Sequence, residues 1–194
     1  METGLTKSSY TCAYSSCCVV AAIKKAAALK LHNLSTSHSS IEDFDTHFDV
    51  GIGLHACGEA TDVILHKCCL NKATVILAPC CVGKLQHHRH FQYPQSDSLR
   101  QIISSDEFLR VAKAGDVAAF ASLKDTDSYD RRLCKTLVEV DRRCYLVERG
   151  YMQHHLLMMF PADSSAKNDI LISSPNAAPN WENVRSLLRG FAEK

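Results

Sequence analysis

The sequence has 194 residues, of which 46% are hydrophobic and 22% charged, a balance that excludes a disordered or collagen-like chain. Basic residues number 22 and acidic residues 21, so a net charge of +1 provides no global field for nucleic acid or lipid. The chain has no run of about 18 apolar residues, so the sequence predicts no membrane span.

The first 34 residues form an atypical segment. Residues 1–16 are small and polar without periodicity, whereas residues 17–32 are rich in Ala and Leu and predict a helix, with room for a short strand before it. We expect residues 1–34 to be partly helical or disordered and residues 35–194 to form the main domain.

A regular α/β pattern starts at residue 48. Residues 48–56 are mostly apolar without alternation and predict a strand buried on both faces. Residues 58–71 can form a helix, and residues 73–78 predict a second buried strand that ends at Pro79. A strand, a helix and a strand in about 30 residues form a βαβ unit, so the two strands should be parallel.

A long polar segment follows the second strand. Residues 84–101 predict a loop that carries three histidines, His87, His88 and His90. Ser104 and Glu107 have the spacing of a capping box, which predicts a helix from there to about Leu123.

The last part of the chain predicts one long helix, a hairpin and a terminal helix. The long helix covers residues 130–149, with an apolar stripe at Leu133, Leu137, Val140 and Cys144. Residues 153–160 and 169–173 predict two strands, and a helix is expected after Asn180. This order of elements indicates an α/β fold with an antiparallel end.

Ten cysteines are present, and several are adjacent in sequence, at Cys17-Cys18, Cys68-Cys69 and Cys80-Cys81. Neighbouring cysteines rarely bridge each other, and the sequence contains no C-x-x-C. The pattern therefore predicts free thiols and a reducing compartment, the cytosol.

The string LHACGEATD, residues 54–62, lies where the first predicted strand meets its helix. In open α/β sheets, ligands bind outside the carboxyl ends of the strands, which places His55, Cys57 and Gly58 at such an edge. Gly58 allows close approach of a backbone, and the helix N-terminus favours an electron-rich group. The alternative is a simple turn with a hydrogen-bonded histidine and a packed cysteine.

The string PCCVGK, residues 79–84, ends the neighbouring strand. Because the carboxyl ends of parallel strands meet at one edge, we expect Cys57 and Cys80 to lie side by side. The alternative is that the proline ends the strand and the cysteines fill space as small apolar groups.

The two strings in combination resemble the methyltransferase-like domain of the glutathione S-transferase C-terminal domain-containing protein family. A related pattern, H-x-C-G-x-A-T-D with a later C-C, occurs in a family of tRNA ribose 2′-O-methyltransferases. The resemblance continues downstream through YPQSDSLR, YDRRLCKTLVEVDRRCYLVERGY and KNDILISSP, and covers about residues 35–176.

The resemblance implies a class I methyltransferase-like, Rossmann-like fold, in which a mostly parallel sheet ends in an antiparallel hairpin, with residues 35–194 as this domain. It implies S-adenosylmethionine as the cofactor and a methyl acceptor that could be RNA. It also implies site residues: Ile41, Glu42, Asp43 and Gly58 for the cofactor, His55 and Cys57 for catalysis, and Pro79, Cys80, Cys81 and Lys84 on the substrate side. A solvated acidic turn is the alternative for Glu42 and Asp43.

One feature of such folds is missing from the sequence. They normally open with a strand and a D/E-x-G-x-G loop, whereas residues 1–47 contain a single glycine, Gly4, and no carboxylate between Glu2 and Glu42. The first strand and its glycine loop are therefore expected to be absent. Each lost charge-assisted hydrogen bond is worth about 1.5–3 kcal/mol, so we expect weak cofactor binding and an inactive or weakly active domain.

Two other functions stay open. Lys84, Arg89, Phe91 and Tyr93 could form a basic, aromatic patch for RNA, which would suit a non-catalytic interaction or RNA-binding module. Cys80 and Cys81 could instead bind a metal together with the histidines of the following loop, although the spacing matches no standard zinc site.

Overall fold

A computed structural model describes residues 9–12, 16–32, 34–87, 91–116, 126–161 and 167–175. The strands in these ranges are Ser9–Cys12 (β1), Leu34–Ser37 (β2), Val50–Leu54 (β3), Thr74–Ala78 (β4), Gln153–Met158 (β5) and Asp169–Ser174 (β6). The α-helices are Ser16–Ala28 (α1), Glu59–Asn71 (α2), Asp97–Arg100 (α3), Ser105–Gly115 (α4) and Thr126–Glu148 (α5). None of these described helices combines the length and the apolar character that a membrane crossing requires.

The chain divides into two compact units, residues 1–47 and 48–194. In the first unit β1 and β2 pair in parallel, with Ser9 opposite Leu34, and α1 connects them. The short strand and the helix expected near the start of the chain are therefore present. The division at residue 34, which rests on the family resemblance, stays a prediction.

The second unit is built on a four-stranded sheet in the order β3-β4-β6-β5. β3 and β4 are parallel, whereas β6 lies antiparallel to both β4 and β5. The parallel βαβ unit and the antiparallel hairpin are thus confirmed, together with the α/β, methyltransferase-like fold class. The helix expected after Asn180 and the residues from 117 to 123 lie outside the described residues.

The expectation that β3 is buried on both faces is wrong. Gly51 and Gly53 are buried, but Ile52 is 71% exposed and Leu54 is 67% exposed. β3 is one of the two edge strands of this sheet, and α2 packs on its glycine face. A Cβ atom at Gly51 would lie 2.2 Å from Cys68 Sγ, so close helix packing explains the glycines inside the strand.

The long helix α5 buries charges where the sequence predicted only an apolar stripe. Leu133 is 49% exposed, and although Leu137 and Cys144 pack against the core, the fully buried positions include Lys135, Glu139 and Arg142. We call these three residues, with Asp62 of α2 and Asp169 of β6, the ion-pair network. The predicted apolar stripe was misplaced because the buried face of α5 combines charged residues with apolar ones such as Val138.

Each charge in the ion-pair network has a partner of opposite sign. Arg142 Nε donates to Asp62 Oδ1 at 2.7 Å, and its Nη1 lies 3.2 Å from both carboxylate oxygens of Glu139. Lys135 pairs with Asp169 and lies 3.7 Å from Glu139. Burial alone lowers the pKa of Arg142, but its pairing with Asp62 and Glu139 raises that pKa above the usual value. The network fixes α2 to α5 and to the sheet.

The polar segment before α4 is anchored to α5 rather than free. Asp141 accepts hydrogen bonds from the backbone N–H groups of Gln95 at 2.8 Å and Ser96 at 2.9 Å. The predicted capping box is confirmed, with Ser104 accepting from Glu107 N and the Glu107 carboxylate accepting from Ser104 N. Gln95 and Ser96 are therefore fixed to α5.

Candidate functional site

The turns that follow β3 and β4 are joined by backbone hydrogen bonds. Leu54 and Ala78 are register partners at the carboxyl ends of the two strands. The N–H of His55 donates to the carbonyl of Ala78 at 3.1 Å, and the N–H of Gly58 donates to the carbonyl of Cys81 at 3.1 Å. The two motif strings therefore lie side by side, as the parallel arrangement predicts.

Gly58 has a backbone conformation that explains why the position is a glycine. Its φ of 57° and ψ of −131° are those of the first central residue of a type II′ turn, and the N–H of Ala60 closes that turn on the carbonyl of Cys57 at 3.2 Å. A Cβ atom at Gly58 would lie 3.0 Å from Lys84 Cβ. The close approach that Gly58 permits is thus between the two turns.

Three cysteine thiols converge where the turns meet. The Sγ atom of Cys57 lies 3.1 Å from that of Cys80 and 3.3 Å from that of Cys81. The predicted convergence of Cys57 and Cys80 is confirmed. We call Cys57, Cys80 and Cys81 the thiol cluster; all three thiols are free, with Cys80 buried and the other two half-buried.

The cysteines of the cluster differ in acidity. The pKa of the Cys57 thiol is lowered from its usual value, chiefly because Cys80 donates a hydrogen bond to it; burial opposes this effect and the nearby charge of Lys84 supports it. Burial raises the pKa of the Cys80 thiol to about 12, and its hydrogen bonds with Cys57 and Cys81 add to the rise. Cys57 is therefore the thiol of this pair that ionises more readily, and the thiolate is the reactive form of cysteine.

His55 and Lys84 present polar groups on the same edge. Both side chains are exposed, and neither makes a side-chain hydrogen bond or ion pair with any other described residue. His55 has a φ of 54°, the left-handed region that is uncommon for a residue with a side chain. Such conformations persist only where surrounding structure holds them, here through the hydrogen bond from His55 N to Ala78.

Asp116 is a neighbour of the thiol cluster that sequence reasoning missed. It follows α4 directly, and its carboxylate opposes the lowering of the Cys57 pKa through its negative charge. A Cβ atom at Gly83 would lie 2.5 Å from Asp116 Cβ, so this end of α4 packs on the second turn. Asp116 also pairs with Lys167 at 3.5 Å. The helix was predicted to continue to about Leu123, whereas α4 ends at Gly115, and glycine is a residue that often ends a helix.

The second half of the LHACGEATD string is structural. Thr61 donates its hydroxyl hydrogen bond to the carbonyl of Ala56, and Asp62 belongs to the ion-pair network. The hydroxyl of Tyr93 also donates to Asp62 Oδ2, at 2.9 Å. These bonds fix the start of α2, and with it the turn that carries Cys57.

Three of the four residues predicted to contact the cofactor lie in the first unit. Ile41, Glu42 and Asp43 form a short 3-10 helix, which Ser40 caps by accepting a hydrogen bond from the N–H of Glu42 at 3.4 Å. Glu42 and Asp43 are exposed and Ile41 is half-buried. Their role in cofactor binding stays a prediction.

Tyr93, one of the four residues of the predicted basic, aromatic patch, is not exposed as expected. Tyr93 is only 2% exposed, its ring stacks 6.1 Å from that of Phe108, and its hydroxyl is taken by Asp62, so it cannot stack on a base. Arg89, His88 and His90 lie outside the described residues. His87 pairs with Asp106 at 2.9 Å and is not part of the thiol cluster.

Comparison with known proteins finds one matching family profile and several similar proteins. Residues 5–88 match a family profile described as "Methyltransferase domain". The chain is 33% identical over 152 residues to the "Glutathione S-transferase C-terminal domain-containing protein homolog" of Drosophila pseudoobscura pseudoobscura, covering 77% of this chain and 26% of that protein. It is 30% identical to the mouse and 29% identical to the human "Glutathione S-transferase C-terminal domain-containing protein", each over 157 residues, 81% of this chain and 24% of theirs. The chain is a relative of these proteins and has a methyltransferase-like fold.

The chain spans about a quarter of the length of the curated relatives that it matches. Every residue of the predicted methyltransferase site, from Ile41 to Lys84, lies inside the stretch that matches the methyltransferase profile. The buried partners that fix this stretch, such as Tyr93 and Arg142, come later in the chain. The predicted site and its support are therefore supplied by different parts of the sequence.

Proposed function

We propose that this chain is a methyltransferase-like domain that binds S-adenosylmethionine weakly and is inactive or weakly active in methyl transfer. The observation that carries the proposal is the match of residues 5–88 to the methyltransferase profile, because this stretch includes both turns of the site. The joined turns after β3 and β4 support it, since ligands of open α/β sheets bind at the carboxyl ends of strands.

The residues keep the roles that the resemblance implies for them. Ile41, Glu42, Asp43 and Gly58 would contact the cofactor, whose sulfonium would supply the methyl group. On the substrate side, Pro79, Cys80, Cys81 and Lys84 would shape the acceptor pocket, and catalysis would consist mostly of positioning. His55 has an exposed imidazole without a partner among the described residues, which suits it to accept a proton or orient an acceptor hydroxyl.

RNA is the methyl acceptor that we propose to test first. The exposed ammonium group of Lys84 supports it, because phosphate contacts come mainly from such side chains. The burial of Tyr93 removes one of the rings that would have stacked on bases. The free thiols of the described cysteines favour a reducing compartment, so we place the protein in the cytoplasm.

Weak binding follows from the composition of the first unit. A single glycine in residues 1–47 leaves no glycine loop there to bring backbone N–H groups to the methionine moiety. The loss of one or two charge-assisted hydrogen bonds, at about 1.5–3 kcal/mol each, weakens binding on the order of 10- to 10⁴-fold. We therefore expect a dissociation constant well above the micromolar range.

Titration calorimetry and ligand-observed NMR with S-adenosylmethionine and S-adenosylhomocysteine test this proposal. We expect weak, saturable binding that Asp43→Asn weakens further, whereas Asp45→Asn, an equal charge change two residues away, leaves it unchanged. A micromolar dissociation constant would show that the prediction of weak binding is wrong. The absence of any saturable response at millimolar ligand would show that S-adenosylmethionine is not the cofactor of this chain.

A further inference from the structure

The thiol cluster is distinct among the described residues. No other group of three His, Cys, Asp or Glu side chains there brings its ligand atoms within 4.8 Å of one another. Its members come from two turns, and adjacent residues in an extended chain point to opposite sides. Here, however, the sulfur atoms of both Cys80 and Cys81 lie near that of Cys57, at 3.1 Å and 3.3 Å.

The separations between the sulfur atoms are slightly shorter than those between two sulfur ligands of a zinc ion. Zn²⁺ binds thiolates at about 2.3 Å in tetrahedral geometry, which places two sulfur ligands about 3.8 Å apart. The sulfur atom of Cys57 lies 3.1 Å from one neighbour and 3.3 Å from the other. Small side-chain rotations would open these separations, and Cys57 and Cys81 are only half-buried. The backbone needs no rearrangement, because hydrogen bonds between the turns already hold it.

We propose that Cys57, Cys80 and Cys81 together bind one thiophilic d¹⁰ cation, Zn²⁺ or Cu⁺. Each thiol that coordinates the ion releases its proton to solvent, and no electron is transferred. Three thiolates leave one net negative charge on Zn²⁺, and Lys84 is close enough for its positive charge to act on Cys57. Three protein ligands also leave a fourth coordination position open, which is the arrangement of catalytic zinc sites rather than structural ones.

The proposed ligand set differs from the one that the sequence suggested, in which histidines of the loop after Cys81 complete a site with Cys80 and Cys81. His87 pairs with Asp106, and His88 and His90 lie outside the described residues. In our proposal the third ligand is Cys57, on the preceding turn. The proposal does not depend on the proposed function, because metal binding is measured without any methyl donor.

Metal titration of the full 194-residue chain tests the proposal. The protein is prepared without a histidine tag and kept reduced, and Zn²⁺ is titrated against a chromophoric chelator, with Cu⁺ in a separate anaerobic arm. Co²⁺ is added as a spectroscopic probe, because thiolate ligands give it a charge-transfer band in the near ultraviolet. We expect one ion per chain and a Co²⁺–thiolate band.

The variants identify the ligands. Cys57→Ser and Cys81→Ser should each weaken binding by more than about 10-fold, the lower limit seen for the loss of even an outer-shell partner. Cys134→Ser, a half-buried cysteine of α5 outside the cluster, should leave binding unchanged. Circular dichroism of each variant confirms that it is folded.

Three outcomes would overturn the proposal. In the first, the wild-type chain binds Zn²⁺ and Cu⁺ no more tightly than the Cys57→Ser variant does. Binding could survive both cluster variants, or it could fall with His87→Ala while Cys57→Ser leaves it intact, which would place the ligands in the histidine loop.

Discussion

The two halves of the LHACGEATD string lie in opposite environments. At the start of the string, His55 is exposed and Cys57 half-buried, and the His55 side chain has no partner among the described residues. Asp62, at the end of the string, is 0% exposed and bonded to both Arg142 and Tyr93. A single motif therefore contains side chains that are available to a ligand and side chains that stabilise the fold. Membership in a motif does not by itself show that a residue takes part in ligand binding or catalysis.

The largest expected effect comes from breaking the ion-pair network. Asp62→Ala leaves the buried Arg142 with Glu139 as its one remaining ion-pair partner among the described residues, and the loss of one member of a buried pair costs about 3–5 kcal/mol. We expect that loss in the free energy of unfolding, measured by urea denaturation. The exposed carboxylate of Asp97, paired with Arg100, is the control, and Asp97→Ala should change stability little.

The double variant Asp62→Ala/Arg142→Ala separates this explanation from a simple loss of packing. If Asp62 and Arg142 stabilise the fold as a pair, the double variant should lose clearly less free energy of unfolding than the two single variants lose together. The reason is that the double variant leaves no unpaired charge buried. Additive losses would mean that the two side chains act independently. Asp62→Asn provides a milder variant where the alanine variant does not fold.

Much of the candidate site could be predicted from the sequence. Parallel strands that follow one another in a βαβ unit bring their carboxyl ends to one edge, so the strings after β3 and β4 had to meet. Cys57 and Cys80 met as expected because nothing but the register of two adjacent strands was needed. Local signals of this kind, including the Ser104–Glu107 capping box, require no knowledge of distant contacts.

The supporting contacts could not be predicted in the same way. Asp62 and Arg142 are 80 positions apart, and no periodicity links them. Lys135, Glu139 and Arg142 do share the spacing of one helix face, but that pattern is typical of a solvated face with ion pairs between successive turns. Tyr93 was assigned to an exposed patch for the same reason: its burial depends on Asp62 and Phe108, which come from other elements.

A smaller effect is expected at the point where the two turns touch. Gly58→Ala places a side chain at a φ of 57° and 3.0 Å from Lys84 Cβ, and such strained positions cost about 1–3 kcal/mol. Gly150→Ala is the matched control, since Gly150 has a φ of 82° but no atom within 4 Å of its would-be Cβ. We expect urea denaturation to show a greater loss for Gly58→Ala. Equal losses would mean that backbone strain alone, and not the contact between the turns, requires the glycine.

The smallest effect is expected for His55→Ala. The ring is exposed and makes no side-chain hydrogen bond with the described residues, and alanine keeps the hydrogen bond from the backbone N–H to Ala78. Surface substitutions of this kind usually change the free energy of unfolding by less than about 0.5 kcal/mol. If His55→Ala lowered the free energy of unfolding as much as Asp62→Ala does in the same denaturation experiment, His55 would also be a structural residue. The contrast between the two halves of the string would then be wrong. If stability is unchanged, any effect of His55→Ala on ligand binding or methyl transfer can be assigned to the site itself, because the fold around it is intact.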